Sequence, residues 1–120
     1  MKKILIVEDD QYLINTYRVK FNKSGFDVRL ASDGDEVFKL LQSFTPDIIL
    51  LDLVMPGKDG FTVLSELKKN ETWKHIPVIV ASNLGQPEDI EKAKKLGAAD
   101  YLIKVQVSLS DIVNKVNSMI

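Results

Sequence analysis

Four apolar runs along the chain each stop at a group that can do chemistry. Glu8-Asp9 follow Ile4-Leu5-Ile6-Val7, Asp52 follows Ile48-Ile49-Leu50-Leu51, Ser82 follows Val78-Ile79-Val80-Ala81, and Lys104 follows Tyr101-Leu102-Ile103. If these runs are parallel strands, their tips share one sheet edge, and the pocket there holds three carboxylates, a hydroxyl and an ammonium. Crowded carboxylates repel, and some must bind protons at neutral pH unless a cation joins them. Hard oxygen donors in a partly open site suit Mg²⁺, which keeps several waters and wants octahedral geometry at roughly 2.0–2.1 Å. Lys104 and Ser82 are poor ligands for that ion beside carboxylates, but good partners for an anion. A lysine, a hydroxyl and a metal around one carboxylate oxygen describe a phosphoryl-transfer site, with Asp52 as nucleophile.

Each residue taken alone has a plainer reading. Asp9 or Asp10 can cap a helix, Asp52 can be a solvated loop carboxylate, Ser82 a strand-end hydroxyl and Lys104 a solvated strand end. The coincidence of all four tips on one edge is what those readings leave unexplained. Asp10 and Asp59 are assigned to caps. Trp73 is read as a loop anchor and His75 as solvated, neither with a functional role, and Met55-Pro56-Gly57 as a turn shaping the loop beside Asp52.

The elements that must position these groups follow from periodicity. The all-apolar run Ile48–Leu51 reads as a strand buried on both faces, and the Gly/Pro-rich loop after Asp52 lies where open α/β sheets place ligands. Leu13, Ile14, Tyr17 and Phe21 are spaced for a helix that Ser24-Gly25 stops. Phe26–Leu30 alternates, as a strand exposed on one side at a sheet edge does. Ser32 or Asp33 caps a second helix with Val37, Phe38, Leu40 and Leu41 inward. A third helix is predicted from about Phe61 to Lys69, with Val63, Leu64 and Leu67 inward. Pro87 opens a fourth, which Gly97 ends in the C′ position. Ser108 with Asp111 starts the last, carrying Ile112, Val113 and Val116. Five strand–helix repeats with short connections predict an α/β fold: one doubly wound five-stranded parallel sheet with five helices, spanning residues 1–120 as a single domain.

Composition narrows the function classes. The chain has 16 basic and 17 acidic residues and is 45% hydrophobic, so it can pack a core and carries no basic footprint for nucleic acid. It has no cysteine, which excludes disulfides, thiolate metal sites and cysteine nucleophiles. The apolar start is cut off by Glu8-Asp9-Asp10, too short for a signal-peptide core, and no segment is long enough to span a bilayer. The expectation is a soluble, cytoplasmic protein that binds neither nucleic acid nor membrane.

At Ile4–Asp9, Asp52-Leu53-Val54-Met55-Pro56-Gly57-Lys58-Asp59-Gly60, Val78–Ser82 and Gly97–Lys104 the chain resembles the receiver domain of bacterial two-component response regulators, most closely the stand-alone, chemotaxis-regulator type. The resemblance covers the full length. It implies a flavodoxin-like sheet of order 2-1-3-4-5. It implies that Asp52 becomes a 4-aspartylphosphate by accepting phosphate from a histidine kinase, a phosphotransfer protein or a small phosphodonor. It implies Mg²⁺ held by Asp9, Asp52 and the Val54 backbone carbonyl, with Glu8 acting through water. It further implies that Ser82 swings toward the phosphate while Tyr101 turns inward, remodelling the surface of the fourth helix, fifth strand and fifth helix for a downstream protein. The chain would then be a self-phosphorylating acceptor, not a multiple-turnover enzyme, and a monomer or phosphorylation-dependent dimer.

Two departures bear on the site. The family usually has proline after the lysine; here it is Val105, and since a cis bond before a non-proline residue costs roughly 2.5–4 kcal/mol, a trans peptide is predicted. Asn83 stands where the family often has a small residue, and can narrow phosphate access or add a hydrogen bond. Val54 and Leu84 are apolar on the expected path of an attacking water, which predicts slow self-hydrolysis. Three other readings compete. A haloacid-dehalogenase-type phosphohydrolase would need a second acid at position 54, which is Val54. A flavodoxin-like nucleotide or flavin binder would need a phosphate loop where three acids stand. A pseudo-receiver that binds partners without phosphorylation is opposed by Glu8, Asp9, Asp52, Ser82 and Lys104 and favoured by Val105.

Overall fold

The computed structural model describes residues 1–120. Five parallel strands, β1 (Lys2–Val7), β2 (Phe26–Ala31), β3 (Ile48–Leu51), β4 (Val78–Ser82) and β5 (Asp100–Ile103), form one sheet of order β2-β1-β3-β4-β5. Helices α1 (Gln11–Lys23), α2 (Gly34–Leu41), α3 (Gly60–Lys69), α4 (Pro87–Lys95) and α5 (Leu109–Met119) fill the crossovers. The expected α/β fold, with β2 at an edge, is therefore observed.

The sheet is sandwiched because its strands are apolar on both faces. Ile4, Ile6, Ile48, Leu50, Ile79 and Ala81 point toward α1 and α5, where they meet Tyr17, Phe21, Ile112, Val113 and Val116. The alternate residues Leu5, Val7, Ile49, Leu51, Val78 and Val80 point toward α2, α3 and α4, where they meet Val37, Leu41, Val63, Leu64, Leu67 and Ala93. Period-two alternation with both faces covered is what a parallel sheet requires. Each such fully buried aliphatic side chain contributes roughly 1.5–3 kcal/mol.

Helix starts are fixed by side-chain caps. Asp10, Asp33, Asp59 and Ser108 accept from the backbone N–H of Leu13, Glu36, Thr62 and Asp111, each satisfying a donor the helix cannot. Of the two candidates before α2, Asp33 is the cap, while the Ser32 hydroxyl donates to Glu36 at 2.5 Å. Gly97 follows α4 with φ 111°, a backbone that favours glycine.

Several boundaries differ from the sequence expectation. β1 begins at Lys2, because Lys2 and Lys3 pair in register with Phe26 and Asp27 although they are exposed. β2 runs on to Ala31, which pairs with Val7. α3 opens at Gly60, directly after its cap. After β5 a 3₁₀ turn covers Lys104–Gln106 before α5. Trp73 is half-buried against Phe38, ring centroids 5.6 Å apart, and the Lys58 ammonium lies 5.0 Å from the Phe38 ring centre.

Candidate functional site

The strand order reverses between β1 and β3, so the chain leaves this point toward opposite edges of the sheet and opens a crevice at the strand tips. Glu8 and Asp9 end β1, and Asp52 ends β3. The Asp52 backbone N–H donates to the Val7 carbonyl at 3.0 Å, which sets the two tips side by side. One oxygen from each of Glu8, Asp9 and Asp52 lies within 4.8 Å of the others.

Lys104 reaches this cluster from the turn after β5. Its Nζ donates to Asp52 Oδ2 at 3.0 Å and to Glu8 Oε1. The remaining oxygens are held by backbone. Glu8 Oε2 accepts from the N–H groups of Asp9 and Asp10, both at 3.2 Å, and Asp52 Oδ1 accepts from the Val54 N–H at 3.2 Å. The side chains of Glu8, Asp52 and Lys104 are only 3%, 9% and 11% exposed, so their charges act through protein rather than bulk water. Burial pushes the Glu8 carboxyl above its usual range, and the Lys104 contact only partly offsets this. Burial alone would lower Lys104, but its hydrogen bond to Glu8 and the charges of Asp52 and Glu8 outweigh it and leave the amine raised. Lys104 therefore stays an ammonium. Three carboxylates against this single ammonium leave the site short of positive charge, and their hard oxygens fit a divalent cation.

The cluster opens into a cleft of about 360 Å³, lined by Glu8, Asp9, Asp10, Leu13, Asp52, Val54, Asn83 and Lys104. Asp9 and Val54 are exposed at its mouth. Asn83, also exposed, lines the same cleft. Ser82, expected in this pocket, is not in its lining. It is fully buried, and its Oγ accepts from the Leu84 N–H at 3.2 Å, because the chain turns tightly after β4. Tyr101 is already inward, 9% exposed, with its hydroxyl donating to the Leu84 carbonyl at 2.5 Å. Burial and the charge of Asp89 raise the Tyr101 hydroxyl, with Ser82 acting in the opposite direction. No peptide bond is cis, so the bond before Val105 is trans as predicted, and Val105 is exposed.

Two contributors, Gly60 and Lys58, and one pairing, that of Glu8 with Lys104, escaped sequence reasoning. Gly60 packs on the segment that follows β3: a Cβ there would lie 2.4 Å from Leu53 Cα and 2.5 Å from the Asp52 carbonyl oxygen, and the Gly60 N–H donates to the Leu53 carbonyl at 2.9 Å. Glycine after the Asp59 cap was visible, but close approach to β3 depends on tertiary packing. Lys58 fastens the same loop to α3 and α2, with Nζ 2.9 Å from Glu66 and 3.9 Å from Asp35. Glu8 holds the lysine, and the signal for it was one extra methylene compared with aspartate.

The comparisons with known proteins agree with this geometry. The family profile described as "Response regulator receiver domain" matches residues 4–117. The chain is 32% identical over 103 residues to the chemotaxis protein CheY of Halobacterium salinarum, covering 86% of this chain and 84% of that one. It is 38% identical over 104 residues to the DNA-binding dual master transcriptional regulator RpaA of Synechocystis sp., covering 87% of this chain but 43% of that protein. This chain thus spans less than half the length of that relative, and 22% of the response regulator PleD of Caulobacter vibrioides. Among solved structures, the receiver domain of Francisella response regulator 1452 superposes with TM-score 0.90 at 32% identity, over 99% of this chain and 96% of that one. The Mn²⁺-bound form of response regulator Rcp1 superposes with TM-score 0.85 at 31% identity, over 99% and 91%.

Proposed function

Because this chain belongs to the response regulator receiver domain family, we propose that it is a phosphorylation-dependent switch whose acceptor is Asp52. The observation that carries this reading is the placement of Lys104 Nζ 3.0 Å from Asp52 Oδ2, beside Glu8 and Asp9, at the mouth of a cleft. In the reaction, an Asp52 oxygen attacks the phosphorus of a phosphohistidine or small acyl phosphate. A new O–P bond forms as the donor's N–P or O–P bond breaks, and the donor leaves with the electron pair. Lys104 offsets the charge on the transferred group, and the Val54 N–H steadies the acceptor carboxylate.

Glu8, Asp9 and Asp52, with the Val54 backbone carbonyl, are the groups that would hold Mg²⁺, which supplies charge neutralisation for phosphoryl transfer when bound. The oxygen-only donor set and the excess of carboxylates support this assignment, and the Mn²⁺-bound relative is in keeping with it. Ser82 and Tyr101 form the responding side. A phosphoryl group adds charge and strong acceptors at Asp52, and the Ser82 hydroxyl gains by leaving Leu84 to donate to it. Tyr101, tied to Leu84, then changes the surface of α4, β5 and α5 for a downstream protein. The donor is a histidine kinase or phosphotransfer protein, and the chain works in the cytoplasm as an acceptor rather than a turnover enzyme. No helix is long and apolar enough to cross a membrane. Val54, exposed at the cleft mouth, and Leu84 favour slow loss of the phosphoryl group.

The test is intact-mass measurement after incubation with Mg²⁺ and acetyl phosphate. The native chain gains the mass of one phosphoryl group and Asp52→Asn does not. A native chain that gains nothing under these conditions returns the reading to a partner-binding module that is never phosphorylated.

A further inference from the structure

We infer that the cavity between α1 and the turn after β5 is a binding site for a small neutral ring compound that carries one hydrogen-bonding group. The cavity has a volume of about 250 Å³ and adjoins the acidic cleft, with which it shares Leu13, Asn83 and Lys104. Its walls are mostly apolar, formed by Leu13 of α1 and by Val107 and Ile112 at the start of the last helical segment. Tyr17 gives it a polar point. That side chain is 2% exposed and sits among core residues, tilted against Phe21. Its hydroxyl takes part in no hydrogen bond within the chain, yet no wholly buried polar atom of the chain is left without one. The oxygen therefore reaches open space, and the cavity is the open space that Tyr17 lines. A nearly buried polar group without a partner is costly unless something meets it there.

The chemistry of the occupant follows from the walls. An apolar cavity of about 150 Å³ takes a benzene molecule, so this one has room for a single substituted ring. Burial pushes the Tyr17 hydroxyl up to about 12, so it stays an un-ionised phenol that can both donate and accept a hydrogen bond. The charges of Lys104, Glu8 and Asp52 also act on it, which sets the hydroxyl toward the cluster. A charged ligand of either sign would lose its hydration against apolar walls. An anion would also face the carboxylates, because the one ammonium nearby, Lys104, is already taken by Glu8 and Asp52. A neutral ring bearing a hydroxyl or N–H enters polar end first, pairs with Tyr17, and leaves its apolar edge against Leu13, Val107 and Ile112. Lys104 and Asn83 wall both cavities, so the occupant is felt at the acidic cleft.

Titrations of phenol, toluene and benzoate into the native chain and into Tyr17→Phe, followed by methyl and amide NMR shifts, test this. Phenol is expected to saturate the native chain with roughly millimolar affinity and to shift Leu13, Val107 and Ile112 together with Lys104 and Asn83. Tyr17→Phe keeps the ring and removes only the hydroxyl. Phenol should bind that variant roughly 2- to 10-fold more weakly, the worth of one hydrogen bond, while toluene binds both chains alike. Benzoate should bind the native chain more weakly than phenol does. The native titration stands whether or not the variant folds. No saturable shift at these residues makes this a cavity that holds only water, and overturns the inference. So do shifts confined to the exposed Tyr12 and Val19 side of α1. An equal loss for phenol and toluene in Tyr17→Phe, or no loss for phenol, removes the hydroxyl from the site and overturns it too. Benzoate binding as tightly as phenol overturns the ligand class.

Discussion

At the tips of β1 and β3 and the turn after β5, Glu8, Asp52 and Lys104 meet through full charges in a nearly dry setting. Beside them, at the end of β4, the turn after it and β5, Ser82, Leu84 and Tyr101 meet through neutral hydrogen bonds that involve the backbone. The two halves of the rim are equally close-knit but differ in what holds them. Buried charges are costly when a partner is removed, and they answer to any ion that enters. Neutral hydrogen bonds contribute modestly and are indifferent to charge at a distance. On the function proposed above, the charged half receives the phosphoryl group and the neutral half reports it by exchanging one set of partners for another.

The largest effect that would sharpen this contrast is expected from Lys104→Met. It leaves Glu8 and Asp52 buried without their counter-ion, so urea unfolding at neutral pH should show a loss of about 3–5 kcal/mol. A loss below about 1 kcal/mol would place Lys104 with the neutral half and erase the distinction. Next comes Gly60→Ala, which acts on the support of the charged half. Its methyl group meets backbone at 2.4–2.5 Å, so β3 and the acceptor loop must move. The expected cost is about 1–3 kcal/mol, together with slower phosphorylation of Asp52 by acetyl phosphate. Unchanged stability and rate would show that the loop tolerates the shift. Tyr101→Phe tests the neutral half alone. It deletes one hydrogen bond to Leu84 and should cost about 0.5–1.5 kcal/mol, with Mg²⁺ affinity unmoved. A change in Mg²⁺ affinity would join the two halves that the comparison separates.

The smallest effect lies outside both halves, at Asp100. Burial tends to raise its carboxyl, but the hydrogen bonds from Lys115 and from the Tyr101 N–H outweigh this and hold it below its ordinary value of 3.8. A carboxyl depressed by folding stabilises the native state above its unfolded pKa, and that contribution fades as pH falls through the folded pKa. Lys115→Met should therefore lower the melting temperature slightly at pH 6 and hardly at all at pH 2. Asp100 is half-buried and its partner Lys115 is more than a third exposed, so solvent screens the pair and the shift is small. A shift that grows on acidification would assign the depression to something other than Lys115.

Much of the charged half was legible in the sequence because it depends on strand ends. Apolar runs that stop at Glu8-Asp9, Asp52 and Lys104 fix which groups share an edge once the sheet is parallel. Ser82 was legible as a strand end but not as a buried group, since its exposure depends on the tight turn at Asn83-Leu84. Tyr101 inward in this structure, Lys104 seated on Glu8, and Gly60 against β3 all depend on the packing of segments far apart in the chain. No periodicity encodes those contacts. The same limit explains why Lys2 and Lys3 were left out of β1: they look like a charged lead-in, and only their ladder to Phe26 and Asp27 makes them strand.

The tilted packing of Trp73 against Phe38, with Lys58 over the Phe38 ring, has a practical consequence. Lys58 belongs to the loop that follows Asp52, and Trp73 is the only indole in the chain. The protein thereby contains its own optical gauge: a rearrangement of that segment alters the surroundings of a single fluorophore, and ion or phosphodonor titrations can be followed by emission without any dye.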